Sequence, residues 1–179
     1  MHSIHLLIIL APLFAAIVVG FFGHHIGRSG SHWLTILAVG VSFVLSSVVL
    51  YQLYWGGLEA ENYNLYTWAI SDDIAMEIGF LIDNLTALMI VVVSFVSLMV
   101  HIYTVGYMRD DPGYQRFFSY ISLFTFSMLI LVMSNNFLQL FFGWEAVGLV
   151  SYLLIGFWYQ RESAIFANLK AFLVNRVGD

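Results

Sequence analysis

The 179-residue chain is 61% hydrophobic and only 9% charged, with a mean hydropathy of +0.88. A soluble domain carries nearer a quarter charged residues, so the composition is that of an integral membrane protein. Absence of cysteine removes disulfides, thiolate metal sites and iron–sulfur ligation together. The Lys and Arg residues are Arg28, Arg109, Arg116, Arg161, Lys170 and Arg176, too scattered to form a nucleic-acid patch. The acidic excess behind the net charge of −5 gathers mainly in one loop.

A membrane helix needs about 20 apolar residues. The first run, Ile4–Phe22, follows an MHSIH start that lacks Lys and Arg, and no A-x-A cleavage pattern ends it. It is therefore expected to be a retained span and not a signal peptide. Further spans are predicted at 33–55, 83–107, 116–133 and 137–158. A sixth helix begins near Ala164 and is still helical in character at Asp179, so the sequence reads as part of a longer protein. Arg28, Arg109 with Arg116, and Arg161 mark three links as cytoplasmic by the positive-inside rule. The 56–82 link holds Glu59, Glu61, Asp72, Asp73 and Glu77 without a Lys or Arg, which places it outside with the Ser134-Asn135-Asn136 turn and the N-terminus. Within that loop, YNLYTWAIS and IAMEIGFLI flank the Asp72-Asp73 pair. The pattern fits a β-hairpin on the outer surface and equally an aromatic belt at the membrane interface.

Glu145 stands in FFGWEAVGLVSYLLIGFW, about 12 Å into the fifth span at 1.5 Å per residue. A carboxylate at that depth must face protein or water, find a cation, or stay protonated. Gly148 and Tyr152 share its helical face, and the glycines at 143, 148 and 156 permit close helix approach. A structural carboxylate would satisfy the pattern; an ion path satisfies it better. In the last segment Arg176 and Asp179 are spaced to pair on one helical face. The apolar residues around Lys170 and Arg176 leave little polar face, so these charges are expected to be buried. His101 lies in the third span, as a hydrogen-bonded core histidine or a candidate proton relay. Asp83 is placed to cap the third span. No GxGxxG, P-loop or HExxH occurs, and one histidine well inside a span does not hold a bis-histidine haem. The residues therefore point to charge handling in a bilayer, in an all-α, polytopic membrane helix bundle.

FLIDNLTALM (80–89), VHIYTVGYM (100–108), YQRFFSYISLF (114–124), LFFGWEAVGLVSYLLIGFW (140–158) and ANLKAFLVNRVGD (167–179) carry a family resemblance in order. The chain from about residue 80 onward resembles the antiporter-like subunit L family, the distal membrane subunits of proton-pumping NADH:quinone oxidoreductase, respiratory complex I. Residues 1–79 agree in hydropathy and are less diagnostic. The resemblance implies an antiporter-like, inverted-repeat fold, of which residues 1–112 would supply three N-terminal helices and 113–179 the start of the first repeat. It implies that Glu145 pairs with a lysine on a later broken helix and, without it, stands unpartnered here. Arg176 and Asp179 would lie beside the same channel, with Lys170 matching a lysine of the motif. It implies no cofactor in this chain, with FMN, iron–sulfur clusters and quinone in other subunits. Partners would be the other membrane subunits, chiefly the adjacent antiporter-like one, in a bacterial inner membrane. A multi-subunit cation/proton (Mrp-type) antiporter, a membrane hydrogenase and a plastid-type quinone oxidoreductase share much of the pattern. A non-transporting scaffold is the rival of another class.

Overall fold

A computed structural model describes residues 2–71 and 74–178. Among them run helices α1 (His2–Tyr54), α2 (Asn84–Tyr107), α3 (Tyr114–Met133), α4 (Phe137–Ile155) and α5 (Glu162–Gly178), with strands β1 (Glu61–Ser71) and β2 (Ile74–Ile82) between α1 and α2. The first four helices are long and apolar enough to cross a membrane.

α1 holds both of the first two predicted spans. Its helical bonding runs through most of the expected 23–32 link, and only Gly27 (φ 76°, ψ 179°) leaves the helix. That conformation is open to glycine alone. One glycine thus turns the chain back with few backbone groups left unpaired, which matters near lipid. The arms 2–26 and 28–54 lie against each other, tied where Ser42 Oγ donates to the Ile8 carbonyl at 2.7 Å. Pro12 lacks the amide that would otherwise bond that carbonyl. The serine of one arm therefore repairs the break made by the proline of the other.

Large apolar side chains face outward and small hydroxyls face inward, the reverse of a soluble protein. Phe14, Phe21, Leu37, Phe95 and Phe142 are exposed, whereas Ser31, Thr35, Ser42, Ser46, Ser94, Ser122 and Thr125 are buried. Small residues let the backbones approach. Ser119 Oγ donates to the Ala16 carbonyl at 2.7 Å, and a Cβ on Gly20 would stand 2.9 Å from that same hydroxyl oxygen.

The loop after α1 forms the hairpin, with β1 antiparallel to β2 and Glu61 opposite Ile82. Phe80, Ile82, Tyr63 and Leu65 close the outer core over Ile8, Val49, Ile90, Leu129 and Met133. Tyr66 and Trp68 remain exposed on the strand, so an aromatic surface and the hairpin coexist. Phe80 bridges to Ser134, and Gln139 Oε1 accepts from the Gly79 amide at 2.9 Å. The opposite end gathers the basic links. There Arg28 donates to the carbonyls of Arg109 and Asp111, and Trp158 Nε1 donates to Asp111 at 2.9 Å. The N-terminus, the hairpin and the 134–136 turn thus share one end, and Arg28, Arg109, Arg116 and Arg161 the other. Sorting links by charge predicts this same division.

Candidate functional site

α4 begins at Asn136, whose side chain accepts from the Gln139 amide at 2.8 Å. At 1.5 Å per residue, Glu145 lies about 12 Å along a helix of about 28 Å, near its middle. Gly143, on the face turned to α3, allows close packing: a Cβ there would stand 2.9 Å from Leu131 Cα. Glu145, Gly148, Tyr152 and Gly156 line the seam that meets α5.

The facing residues of α5 run in reverse order. Arg176 is ion-paired to Glu145, Gly148 lies by Asn175, Tyr152 packs on Phe172 with ring centroids 5.2 Å apart, and Gly156 accommodates Asn168. Steps of three, four and four residues forward on α4 meet steps of one, three and four backward on α5, so the helices are antiparallel. The Arg176 guanidinium also stands 5.0 Å from the Phe172 ring centroid. The Glu145 side chain is 16% exposed and the Arg176 side chain 41%. A carboxylate is thus held within the bundle by a cation at its edge.

Two expectations change. Glu145 is not left without a cationic partner in this chain, because antiparallel α5 carries Arg176 back to its level. The expected pairing of Arg176 with Asp179 rests on a residue that lies outside the described residues. The charges of the last segment are not buried either. α5 has no buried residue among those described, because it packs on one side only, against α4. Lys170 is exposed and forms no ion pair among the described residues. Sequence reading noted the face of α4 but missed its match in α5; the signal was Asn168, Phe172, Asn175 and Arg176 recurring at helical spacing.

His101 is fully buried between α2 and α3. Nδ1 lies 2.8 Å from the Ser97 carbonyl, which can only accept, so Nδ1 carries the proton there. Nε2 then accepts from Ser122 Oγ at 3.0 Å. Ser97 Oγ donates to Thr125 Oγ1 at 2.5 Å, and Thr125 passes its own proton to the Ile121 carbonyl at 2.8 Å. Both ring nitrogens are thus bonded with the imidazole neutral, the arrangement of a core histidine joining two helices. Asp83 caps α2, accepting from the Thr86 amide at 2.7 Å. Among the described residues no group of three or more His, Asp or Glu stands where it could hold a metal ion.

Comparison with known proteins locates this arrangement. Residues 68–118 match the family described as NADH-ubiquinone oxidoreductase (complex I), chain 5 N-terminus. Residues 134–179 match NADH:quinone oxidoreductase/Mrp antiporter, TM. NADH-quinone oxidoreductase subunit L of Neisseria meningitidis is 62% identical over 178 residues, covering 99% of this chain and 26% of the relative. NADH-ubiquinone oxidoreductase chain 5 of Arabidopsis thaliana is 47% identical over 175 residues, 98% of this chain and 26% of the relative. The chain therefore spans about a quarter of the length of the curated relatives it matches. In structure it resembles a chain of the membrane-bound sulfane sulfur reductase, an archaeal respiratory membrane complex. The TM-score is 0.80 at 19% identity, over 97% of this chain and 34% of that one. At that identity the likeness is one of fold.

Proposed function

The chain belongs to the subunit L (chain 5) family of NADH:quinone oxidoreductase, and we propose from that premise that it moves protons within the membrane arm of such a complex. The observation that carries the reading is the Glu145–Arg176 ion pair near the middle of α4. A carboxylate beside a cation favours its charged form, and one left alone in a low-dielectric interior favours the protonated form. Opening the pair would load a proton on Glu145, and closing it would release that proton. Gly148, on the same helical face as Glu145, adds no bulk beside the pair, since even a Cβ there would meet only Asn175 Nδ2 at 4.0 Å.

In this reading quinone reduction in other subunits drives the opening, and FMN, iron–sulfur clusters and quinone bind there. Glu145 and Arg176 are the central pair. Lys170 on α5 and Asp179 in the sequence after it are assigned to the proton route, and His101 is a relay that a second proton would reach through Ser122. Residues 1–112 would form the N-terminal helices, and 113–179 the opening of an antiporter-like repeat. The adjacent antiporter-like subunit is the principal partner, and the membrane a bacterial inner membrane with the N-terminus outside. The matched description also names Mrp antiporters, but 62% identity to an oxidoreductase subunit favours complex I.

The test is NADH-driven acidification of inverted membrane vesicles whose subunit L contains this sequence, with Glu145→Gln as the variant. The expected outcome is loss of most pumping with the complex assembled. Unchanged pumping would reduce Glu145 to a structural group and favour the scaffold reading. Sodium-driven proton exchange without NADH would favour the Mrp reading.

A further inference from the structure

We propose that the hairpin end of the bundle binds a phosphatidylethanolamine-type lipid, with an acyl chain in an apolar cleft beneath the hairpin and the ammonium group against Glu77. Two cavities meet at Met76, Glu77 and Leu138. The deeper one, of about 520 Å³, lies among the first arm of α1, the hairpin, α3 and α4; Leu10, Leu13, Trp68, Phe126 and Phe142 make it almost wholly apolar. The outer one, of about 500 Å³, is walled by Asn62, Asn64, Asn135, Asn136 and Glu77. Both volumes fall within the range of ligand sites. A single occupant of both must be apolar toward the middle of the membrane and polar at its surface.

Charge selects the head group. The amide donors are largely spent within the protein: Asn135 Nδ2 donates to Asn62 at 3.0 Å and to Asn64 at 2.7 Å, and Asn136 Nδ2 to the Glu77 carbonyl at 2.9 Å. The Glu77 carboxylate accepts only from Asn64 and, at 3.4 Å, from Thr67, and has no cationic partner among the described residues. No Lys or Arg occurs between Arg28 and Arg109 or in the 134–136 turn. An ionised carboxylate offers about four acceptor positions, so Glu77 keeps capacity for a donor that carries positive charge. A primary ammonium meets that need. A choline head group has the charge without N–H donors, and a glycerol head group leaves the lipid anionic.

The test is native mass spectrometry of the 179-residue chain in detergent, offered phosphatidylethanolamine, phosphatidylcholine and phosphatidylglycerol with identical acyl chains. Phosphatidylethanolamine should be retained roughly tenfold over phosphatidylglycerol, the size of a charge-assisted hydrogen bond. Glu77→Gln should level the preference while lipid is still retained, and Ala146→Phe, which fills the cleft, should reduce retention of all three. Equal retention by the unmodified chain would overturn the proposal. So would a preference that survives Glu77→Gln, or a lipid-free dimer in which a second copy covers the cleft.

A separate observation carries a second site. His5 Nε2, Gln52 Oε1 and Glu61 Oε2 are buried without a hydrogen-bond partner among the described residues, and these three residues line one cavity of about 10 Å³. That is room for about one water molecule, which needs two to four polar partners. We infer that an ordered water joins them. Tyr63 O–H donates to His5 Nδ1 at 2.8 Å; His5 Nε2–H then donates to the water, and the water donates to Gln52 and Glu61. Every donor and acceptor is used once. Nitrogen NMR of isotopically labelled histidine, with His5→Asn identifying the signal, should show a neutral His5 protonated at Nε2 and in contact with water. A proton on Nδ1, or an Nε2–H without a water contact, would overturn it.

Discussion

Pro12 removes the amide that would bond the Ile8 carbonyl, and Ser42 supplies a hydroxyl to that carbonyl from the other arm of α1. Leaving a buried acceptor unpaired costs ~1–3 kcal/mol. Ser42→Ala should therefore destabilise the chain by about that amount in detergent unfolding. In a Pro12→Ala background the backbone amide is restored, and the same serine substitution should cost little. The two sites should thus couple by ~1–3 kcal/mol although they lie on different arms; strictly additive costs would show that Ser42 does not serve the proline's carbonyl. Glu145 and Arg176 answer a similar need with charge. At the residue scale the rule is the same for both: a polar group within the apolar bundle is answered by a partner from the helical segment packed against it.

Helix against helix, the deciding feature is where backbones come close. A Cβ on Gly143 would stand 2.9 Å from Leu131 Cα, a backbone atom that cannot swing aside, whereas one on Gly148 would meet only Asn175 Nδ2 at 4.0 Å. Gly143→Ala should therefore separate α3 from α4 and cost ~1–3 kcal/mol. Gly148→Ala should be neutral or stabilising by up to ~1 kcal/mol, since alanine is the better helix former. Thermal unfolding of the two variants side by side checks the ordering, and equal losses would mean that α3 and α4 do not meet at Gly143. The hairpin is held by a contact sensitive to alkali. Burial, with the Glu61 carboxylate adding to it, pushes the Tyr63 phenol from 10.0 up to about 12. Below pH 10 the phenol is neutral whether the chain is folded or unfolded, so its full contribution to stability is present. From pH 10 to about 12 the unfolded chain loses the proton first and that contribution drains away. The unfolding midpoint of the unmodified chain should fall faster through this window than that of Tyr63→Phe; parallel curves would show that Tyr63 is not shielded.

Across the whole molecule, the parts legible in sequence were those set by the bilayer. Hydropathy placed the spans, link charge placed their ends, and Asp83 before an apolar run marked a cap that the fold contains. Less legible was what depends on one helix facing another. Residue spacing shows that Glu145, Gly148 and Tyr152 share a face, yet only the return of α5 puts Arg176 opposite the carboxylate. The same holds for His101, whose partners Ser97 and Ser122 come from two helices, and for Ser42, which a local reading treats as an ordinary helical hydroxyl. The link at 23–32 is where the chain turns back, but that a single residue, Gly27, makes the turn is not visible in its polar composition. Sidedness is the property that ties these levels together. The bundle sets Arg28, Arg109, Arg116 and Arg161 at one end and the acidic hairpin at the other, so the positive-inside rule predicts one orientation for all of them. Because the chain has no cysteine of its own, single cysteines report position cleanly. Ser29→Cys and Asp110→Cys should react with an impermeant maleimide only in inverted vesicles, and Glu59→Cys and Tyr66→Cys only from the outer surface of intact cells. A mixed pattern within either pair would contradict the shared ends of the fold, whereas a consistent reversal of both would keep the fold and overturn the orientation.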